Sequence, residues 1–103
     1  MDADKAKGLI KRQIDRAEPL KNEDRFSAEW KKWHRDTQIV LNKIFGNGNG
    51  QCGHSREFAR IKYAYGVYSD GIPDHKYQKA FLDGLAEAQV ILRSIIEELR
   101  ILA

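Results

Sequence analysis

The chain has 103 residues, of which 42% are hydrophobic and 32% charged, with a formal net charge of +3. This balance is typical of a folded globular chain, and the length suits a single helical domain over residues 1–103. No apolar run approaches the roughly 20 residues that cross a bilayer, and the N-terminus lacks the apolar stretch of a signal peptide. These observations exclude a disordered or membrane-spanning chain and predict a cytoplasmic protein with no membrane partner.

The first helical pattern runs over about residues 3–20. Its apolar side chains recur at intervals that place them on one face of a helix, and charged residues fill the other positions; the apolar residues are Leu9, Ile10, Ile14, Ala17 and Leu20. Pro19 and the polar stretch after it are typical of the end of a helix.

The second pattern begins at Ser27, a residue suited to cap a helix N-terminus. From there the apolar positions recur every three or four residues, which predicts a helix with Trp30, Trp33, Thr37, Val40, Leu41, Ile44 and Phe45 on one face. We expect each indole N–H to bond a loop carbonyl. Gly46 suits the left-handed position just beyond a helix C-terminus.

The stretch GNGNGQCGHS at residues 46–55 matches two nucleotide-binding patterns by letter. Both patterns require a buried strand before the glycines and a helix N-terminus directed at the phosphate. Here the glycines follow a helix, and His54 stands where a phosphate loop has lysine. Glycine and asparagine adopt positive φ at low cost, so the stretch is predicted to be a flexible connection.

A shorter helix is predicted next, capped by Ser55 and running through REFARIKY, with Phe58 and Ile61 directed inward. The following stretch, YAYGVYSDGIPDH, suggests an extended segment whose tyrosine rings pack on the helices. Its alternative is a surface on which bases or a ligand stack. The tyrosines in question are Tyr63, Tyr65 and Tyr68.

The last pattern starts near Asp74, a plausible N-cap, and is the longest. Spacings of 4, 3, 4, 3, 4 and 3 residues form an apolar seam of three heptads, made of Phe81, Leu85, Ala88, Leu92, Ile95, Leu99 and Leu102. Such a helix would extend about 40 Å, whereas each earlier long helix would reach only about 27 Å. Two outcomes are open: the end of the helix overhangs and exposes its apolar residues, or the first helix folds back over it.

If the end overhangs, it forms a contact surface for another copy or a following domain. The predicted interface residues are Ile91, Leu92, Ile95, Ile96, Leu99 and Leu102, and Ile101 would also be exposed. The expected fold is therefore all-α: a small antiparallel bundle of three long helices plus one short helix, with a glycine-rich loop and an aromatic extended loop.

Positive charge is concentrated in the first part of the chain. Residues 1–62 carry a net charge of +5, and residues 63–103 carry −2. This asymmetry can attract nucleic acid, although the cations alternate with carboxylates as on an ordinary solvated face. The candidate residues for nucleic-acid binding are Lys31, Lys32, Arg35, Lys43, Arg56, Arg60 and Lys62.

Metal and catalytic motifs are not evident in the sequence. The potential metal ligands His34, Cys52, His54 and His75 lack the paired spacings of a structural zinc site. His34, Arg35 and Asp36 are consecutive and would point in different directions on a helix. No metal site, cofactor, catalytic residue or enzymatic activity is predicted.

Three stretches of residues 30–98 contain a distinctive set of positions, mainly of helix cores: Trp33, Arg35, Asp36, Thr37, Ile44, Phe45 and Gly46, then Phe58, Ile61 and Tyr63, then Phe81, Gly84, Leu85, Ala88, Leu92, Ile96, Glu97 and Glu98. At these positions the chain resembles the N-terminal helical region of bacterial proteins that carry a TIR-like predicted nucleotide-binding domain further along the chain, and the resemblance covers most of residues 30–98. The resemblance implies an accessory module of a bacterial defence or stress protein. The TIR-like domain, the candidate NAD-processing unit of such proteins, has no counterpart in residues 1–103, so no active-site residue is carried over.

The sequence thus favours a non-catalytic helical interaction or oligomerisation module, whose partner is another copy of the chain or a following domain. One alternative is a small basic nucleic-acid-binding domain. Another is a nucleotide-sensing module with a pocket between the aromatic loop and the long helix, where Gly84 would allow close approach of a ligand. Close helix packing explains Gly84 equally well.

Overall fold

The computed structural model describes residues 2–46, 52–64 and 71–102, with only the backbone of Leu102. It contains four helices in these ranges: α1 (Ala3–Leu20), α2 (Ala28–Phe45), α3 (Gly53–Ala59) and α4 (Asp74–Leu102). The described ranges include no strand, and the predicted all-α class is confirmed. Residues 47–51 of the glycine-rich stretch, and Tyr65 and Tyr68 of the aromatic segment, lie outside the described residues.

Helix α1 has the predicted bounds. The Asp2 carboxylate caps it by accepting a hydrogen bond from the Lys5 amide at 2.8 Å. Pro19 lies in the last turn of the helix, near its end as predicted. Four of the five predicted apolar residues are buried, and Leu9 is half-buried.

Helix α2 begins as predicted, because the Ser27 hydroxyl accepts a hydrogen bond from the Trp30 amide at 3.1 Å. It ends before Gly46, but the predicted left-handed conformation is wrong, since Gly46 has a φ of −75° and is extended. The glycine is needed for a different reason: a Cβ at this position would collide with the carbonyl oxygen of Asn42, which already accepts the Gly46 amide.

Helix α3 starts earlier than the sequence indicated. Its cap is Cys52, whose Sγ accepts a hydrogen bond from the Ser55 amide at 3.3 Å, so the predicted cap at Ser55 is wrong. Ser55 is instead a buried residue within the helix. Phe58 and Ile61 are buried, as predicted, although the helix itself ends at Ala59.

Helix α1 packs against both α2 and α4. The Trp33 indole N–H of α2 donates to the carbonyl of Gln13 at 2.9 Å, so its acceptor is in a helix rather than the predicted loop. The Gln89 amide of α4 donates to the Ile14 carbonyl at 3.2 Å and to the Glu18 carboxylate at 2.8 Å. Hydrogen bonds from polar side chains therefore fix the register of α1 against α2 and of α1 against α4.

Helix α4 has 29 residues, and Asp74 is its first residue rather than its cap. Several elements cover it along its length. Phe26, in the α1–α2 connection, packs on Phe81 with ring centroids 5.3 Å apart. Helix α1 covers the middle and the C-terminal part, and His54 of α3 pairs with Glu98 at 2.9 Å.

The predicted exposure of the α4 seam is wrong for Leu92, Ile95 and Leu99. Leu92 is fully buried and Leu99 is only 8% exposed, and both belong to the core that contains Ala6 and Ile10. The reason is that α1 folds back along this end of α4, the second of the two outcomes left open. Exposure is confirmed for Ile101, at 84%.

Candidate interaction surfaces

The structure divides the six predicted interface residues into three groups. Leu92, Ile95 and Leu99 belong to the core of the chain itself. Ile91 and Ile96 are half-buried at its edges. The side chain of Leu102 lies outside the described residues. Leu92, Ile95 and Leu99 are therefore not accessible to a partner while the chain is folded.

The outward face of α4 presents two exposed apolar side chains, Ile101, whose exposure was expected, and Val90, which the sequence pattern did not single out. Val90 is 57% exposed, and together with Ile101 it accounts for two of the three exposed large hydrophobic residues in the described part of the chain. The third is Ile39 on α2. Val90 and Ile101 are eleven residues apart, close to three helical turns, so they share a face.

A groove of about 330 Å³ lies beside this face, between α1 and α4. Ile14 and Ile96 form its apolar part, and its charged lining consists of Lys11, Asp15, Arg93, Glu97 and Arg100. Lys11 pairs with Asp15 at 3.7 Å and Arg100 with Glu97 at 2.8 Å, whereas Arg93 forms no ion pair among the described residues. The groove therefore carries charges of both signs.

The seven candidate nucleic-acid-binding cations are all exposed, but they are not equivalent. Lys32 pairs with Asp36 at 2.8 Å, and Asp36 also pairs with Arg16 of α1 at 3.2 Å. The hydrogen bond from Lys32, and then that from Arg16, hold the pKa of Asp36 below its usual range. The other six form no ion pair within the described ranges.

Aromatic contacts align α3 and the residues after it with the first part of α2. The Phe58 ring lies 5.5 Å from Trp33 and 5.2 Å from His34, measured between centroids. Tyr63 lies 5.0 Å from Trp30. Residues 58–63 are consequently at the level of residues 30–34 of α2.

Three of the four potential metal ligands have structural partners. His34 stacks on Trp30 with centroids 4.9 Å apart and contacts the Gln38 amide at 3.1 Å. Cys52 caps α3, and His54 pairs with Glu98. Among the residues that the structure describes, no group of three or more His, Cys, Asp or Glu residues could hold a metal ion.

Gly84 is the point where the segment after α3 meets α4. A Cβ at Gly84 would lie 2.5 Å from Cδ1 of Tyr63 and 2.8 Å from the carbonyl oxygen of Lys62. Close packing, one of the two explanations that the sequence left open, therefore accounts for this glycine.

Three buried side-chain polar atoms have no hydrogen-bond partner in the described part of the chain: the Trp30 indole nitrogen and the hydroxyl oxygens of Ser55 and Tyr63. Burial, with a smaller effect from Glu87, raises the pKa of the Tyr63 hydroxyl.

His34 makes the stability of the fold depend on pH. Burial lowers its pKa below the ordinary value of 6.5. Since the folded state binds the proton more weakly than the unfolded state, the contribution of His34 is complete above pH 6.5 and is lost as the pH falls through the lower folded-state pKa. We expect the free energy of unfolding, measured by urea titration, to decline from about pH 7 to pH 5.

The variant His34→Gln should lack that part of the decline, and His75→Gln, which alters an exposed histidine, should retain it. An unchanged decline in His34→Gln would show that another group causes it.

Comparison with known proteins adds no relative: no protein-family model, curated protein or solved structure matches this chain. Within the described residues, none of the helices combines the length and apolar character needed to cross a membrane.

Proposed function

We propose that the chain is a non-catalytic helical interaction module that forms a homo-oligomer through the outward face of α4. It would do so as a small antiparallel bundle of three long helices plus one short helix. The observation that carries the proposal is the exposure of Val90 and Ile101 on a helix whose inner face is already occupied by its own chain. Contiguous exposed apolar patches, especially those rimmed by polar residues, mark contact surfaces.

The charges on this face are complementary to a second copy in an antiparallel orientation. Arg93 and Glu97 lie between Val90 and Ile101 on α4. Both pairs of residues are centred near residue 95. A two-fold axis at that point would place Val90 against Ile101 of the second copy, and Arg93 against Glu97 of the second copy, on both sides of the axis.

Intramolecular pairing does not prevent this contact. Glu97 accepts a hydrogen bond from Arg100 within the chain, but both side chains are more than 60% exposed. An exposed pair of this kind contributes only about 0–1 kcal/mol, so the carboxylate can exchange or share its partner. The apolar contact is small, and we expect weak, concentration-dependent association.

Analytical ultracentrifugation over a range from about 10 µM to 1 mM tests the proposal. The wild-type chain should show a mass that rises with concentration. Arg93→Glu and Glu97→Arg should each weaken association about tenfold, because each places like charges across the interface. Combining both substitutions in one chain should restore association.

Arg12→Glu is the matched control, since it makes the same charge change on an exposed residue of α1. It should leave association unchanged. A wild-type chain that stays monomeric at every concentration would contradict the proposed function. Association that persists in both single variants would contradict the antiparallel geometry.

The biological setting is a further part of the proposal. The resemblance to N-terminal regions of bacterial proteins with a TIR-like domain supports a role in a defence or stress protein, where self-association of this module would bring attached domains together. The cytoplasmic location inferred from the sequence suits that role.

A further inference from the structure

We infer that a second surface, formed by α2, α3 and the residues after α3, binds the phosphate backbone of nucleic acid. We call it the α2–α3 basic face, and it consists of Lys31, Arg35, Arg56, Arg60 and Lys62. It is separate from the outward face of α4 and does not depend on self-association.

The register of the helices brings these cations to one region. Lys31 and Arg35 are one turn apart on α2, and Arg56 and Arg60 are one turn apart at α3 and its C-cap. The contacts of Phe58 and Tyr63 with α2 place Arg60 and Lys62 at the level of Lys31 and the residues that follow it. Two stretches that are more than 20 residues apart in sequence thus lie side by side, and both carry exposed cations.

The absence of carboxylate partners distinguishes these five cations. Elsewhere Lys and Arg are commonly neutralised by a residue one turn away, as in the pairs Lys7–Asp4, Lys21–Glu18 and Lys79–Asp83. All five cations of the α2–α3 basic face are exposed, and none forms an ion pair in the described ranges. Their charge is therefore available to an external anion.

Two of the predicted cations are not part of the face. Lys32 is neutralised by Asp36 on the side of α2 that faces α1. Lys43 lies two turns beyond Arg35, on a different side of the helix. Two exposed carboxylates, Glu29 and Glu57, lie on the same two helices and leave a net charge of +3 on the region.

The chemistry of the face suits a polymer of phosphates. Three of its cations are arginines, whose planar guanidinium groups bind phosphate oxygens through two parallel hydrogen bonds. Cations spread over two helices match a ligand with repeated negative charge rather than a single phosphate group. Such contacts carry no sequence information, so binding should be independent of base sequence.

Fluorescence anisotropy with a labelled duplex and a labelled single strand of the same random sequence tests the inference. If all five cations contact phosphates of the duplex, the logarithm of the association constant should fall with the logarithm of salt concentration with a slope of about −4.5. The triple variant Arg35→Gln, Arg60→Gln, Lys62→Gln should reduce the slope to about −1.8 and weaken binding at least tenfold at low salt.

The matched control removes three exposed cations that lie outside this face and form no ion pair among the described residues: Lys5→Gln, Arg12→Gln, Lys76→Gln. Both triple variants have the same net charge, and circular dichroism should show that both remain folded. Retention of tight binding by the control alone supports the inference. Equal loss in both variants would overturn it, because net charge rather than this face would then cause binding.

Vesicles of phosphatidylcholine and phosphatidylserine test whether the α2–α3 basic face binds the phosphate groups of a lipid surface instead of those of nucleic acid. Binding to these vesicles without binding to either oligonucleotide would overturn the inference, and so would binding to neither.

Discussion

Leu92→Asp should unfold the chain rather than merely separate its copies. Leu92 lies on α4, is fully buried and belongs to the apolar core of the chain. A carboxylate placed there would be unpaired, which costs several kcal/mol and approaches the whole stability of a small domain, about 5–15 kcal/mol. We expect circular dichroism at 25 °C to show loss of most of the helical signal.

Val90→Asp is the matched control, since it introduces the same side chain two residues away at an exposed position of the same helix. It should change the free energy of unfolding by no more than about 0.5 kcal/mol and should weaken self-association. If Leu92→Asp were as stable as Val90→Asp, α1 could not be covering this part of α4.

Gly84→Ala should destabilise the fold even though alanine favours helix formation. The added Cβ would meet the ring of Tyr63 and the backbone carbonyl of Lys62, and the carbonyl cannot move without displacing the segment after α3. We expect the free energy of unfolding, from urea titration, to fall by about 1–3 kcal/mol, as for other overpacked sites.

Gly8→Ala is the matched control, and it should change the free energy of unfolding in the opposite direction. Gly8 is an exposed residue in the interior of α1, and a Cβ there would meet nothing within 4 Å. Its replacement should stabilise the chain by up to about 1 kcal/mol, the difference in helix propensity. Stabilisation by both substitutions would show that the segment after α3 does not pack on α4 as described.

Periodicity in the sequence was sufficient to predict the helices that bury a regular apolar face. The bounds of α1 and the first residue of α2 are confirmed, because capping side chains at Asp2 and Ser27 act over one turn of local sequence. Cys52 as the cap of α3 was missed, since a thiol is a weak acceptor and Ser55 is the more usual capping residue.

The covering of α4 could not be predicted from helix lengths alone. The overhang, one of the two outcomes that the sequence left open, rested on comparing α4 with each shorter helix separately. In the structure several elements cover the helix together, because the α1–α2 connection contacts its start through Phe26, whereas α1 and His54 contact its end. These are long-range contacts, and a local pattern contains no information about them.

The arrangement of the basic residues could also be predicted only in part from the local sequence. Their exposure follows from the amphipathic pattern, but the pattern does not tell which cations are neutralised. The pairing of Lys32 with Asp36 is local and could have been read from its spacing of four residues. The alignment of Arg60 with the first turns of α2 depends on ring contacts between separate elements, which spacing cannot supply.

Helix α1 shelters the apolar seam of α4 within one molecule. A nuclear Overhauser experiment on a mixture of isotope-labelled and unlabelled chains tests it directly, using the methyl groups of Ile14 and Ile96, which line the same groove. The structure predicts that contacts between these methyl groups arise within labelled chains and persist at the lowest measurable concentration. Contacts that arise only between labelled and unlabelled chains would show that the seam is covered by a second copy instead.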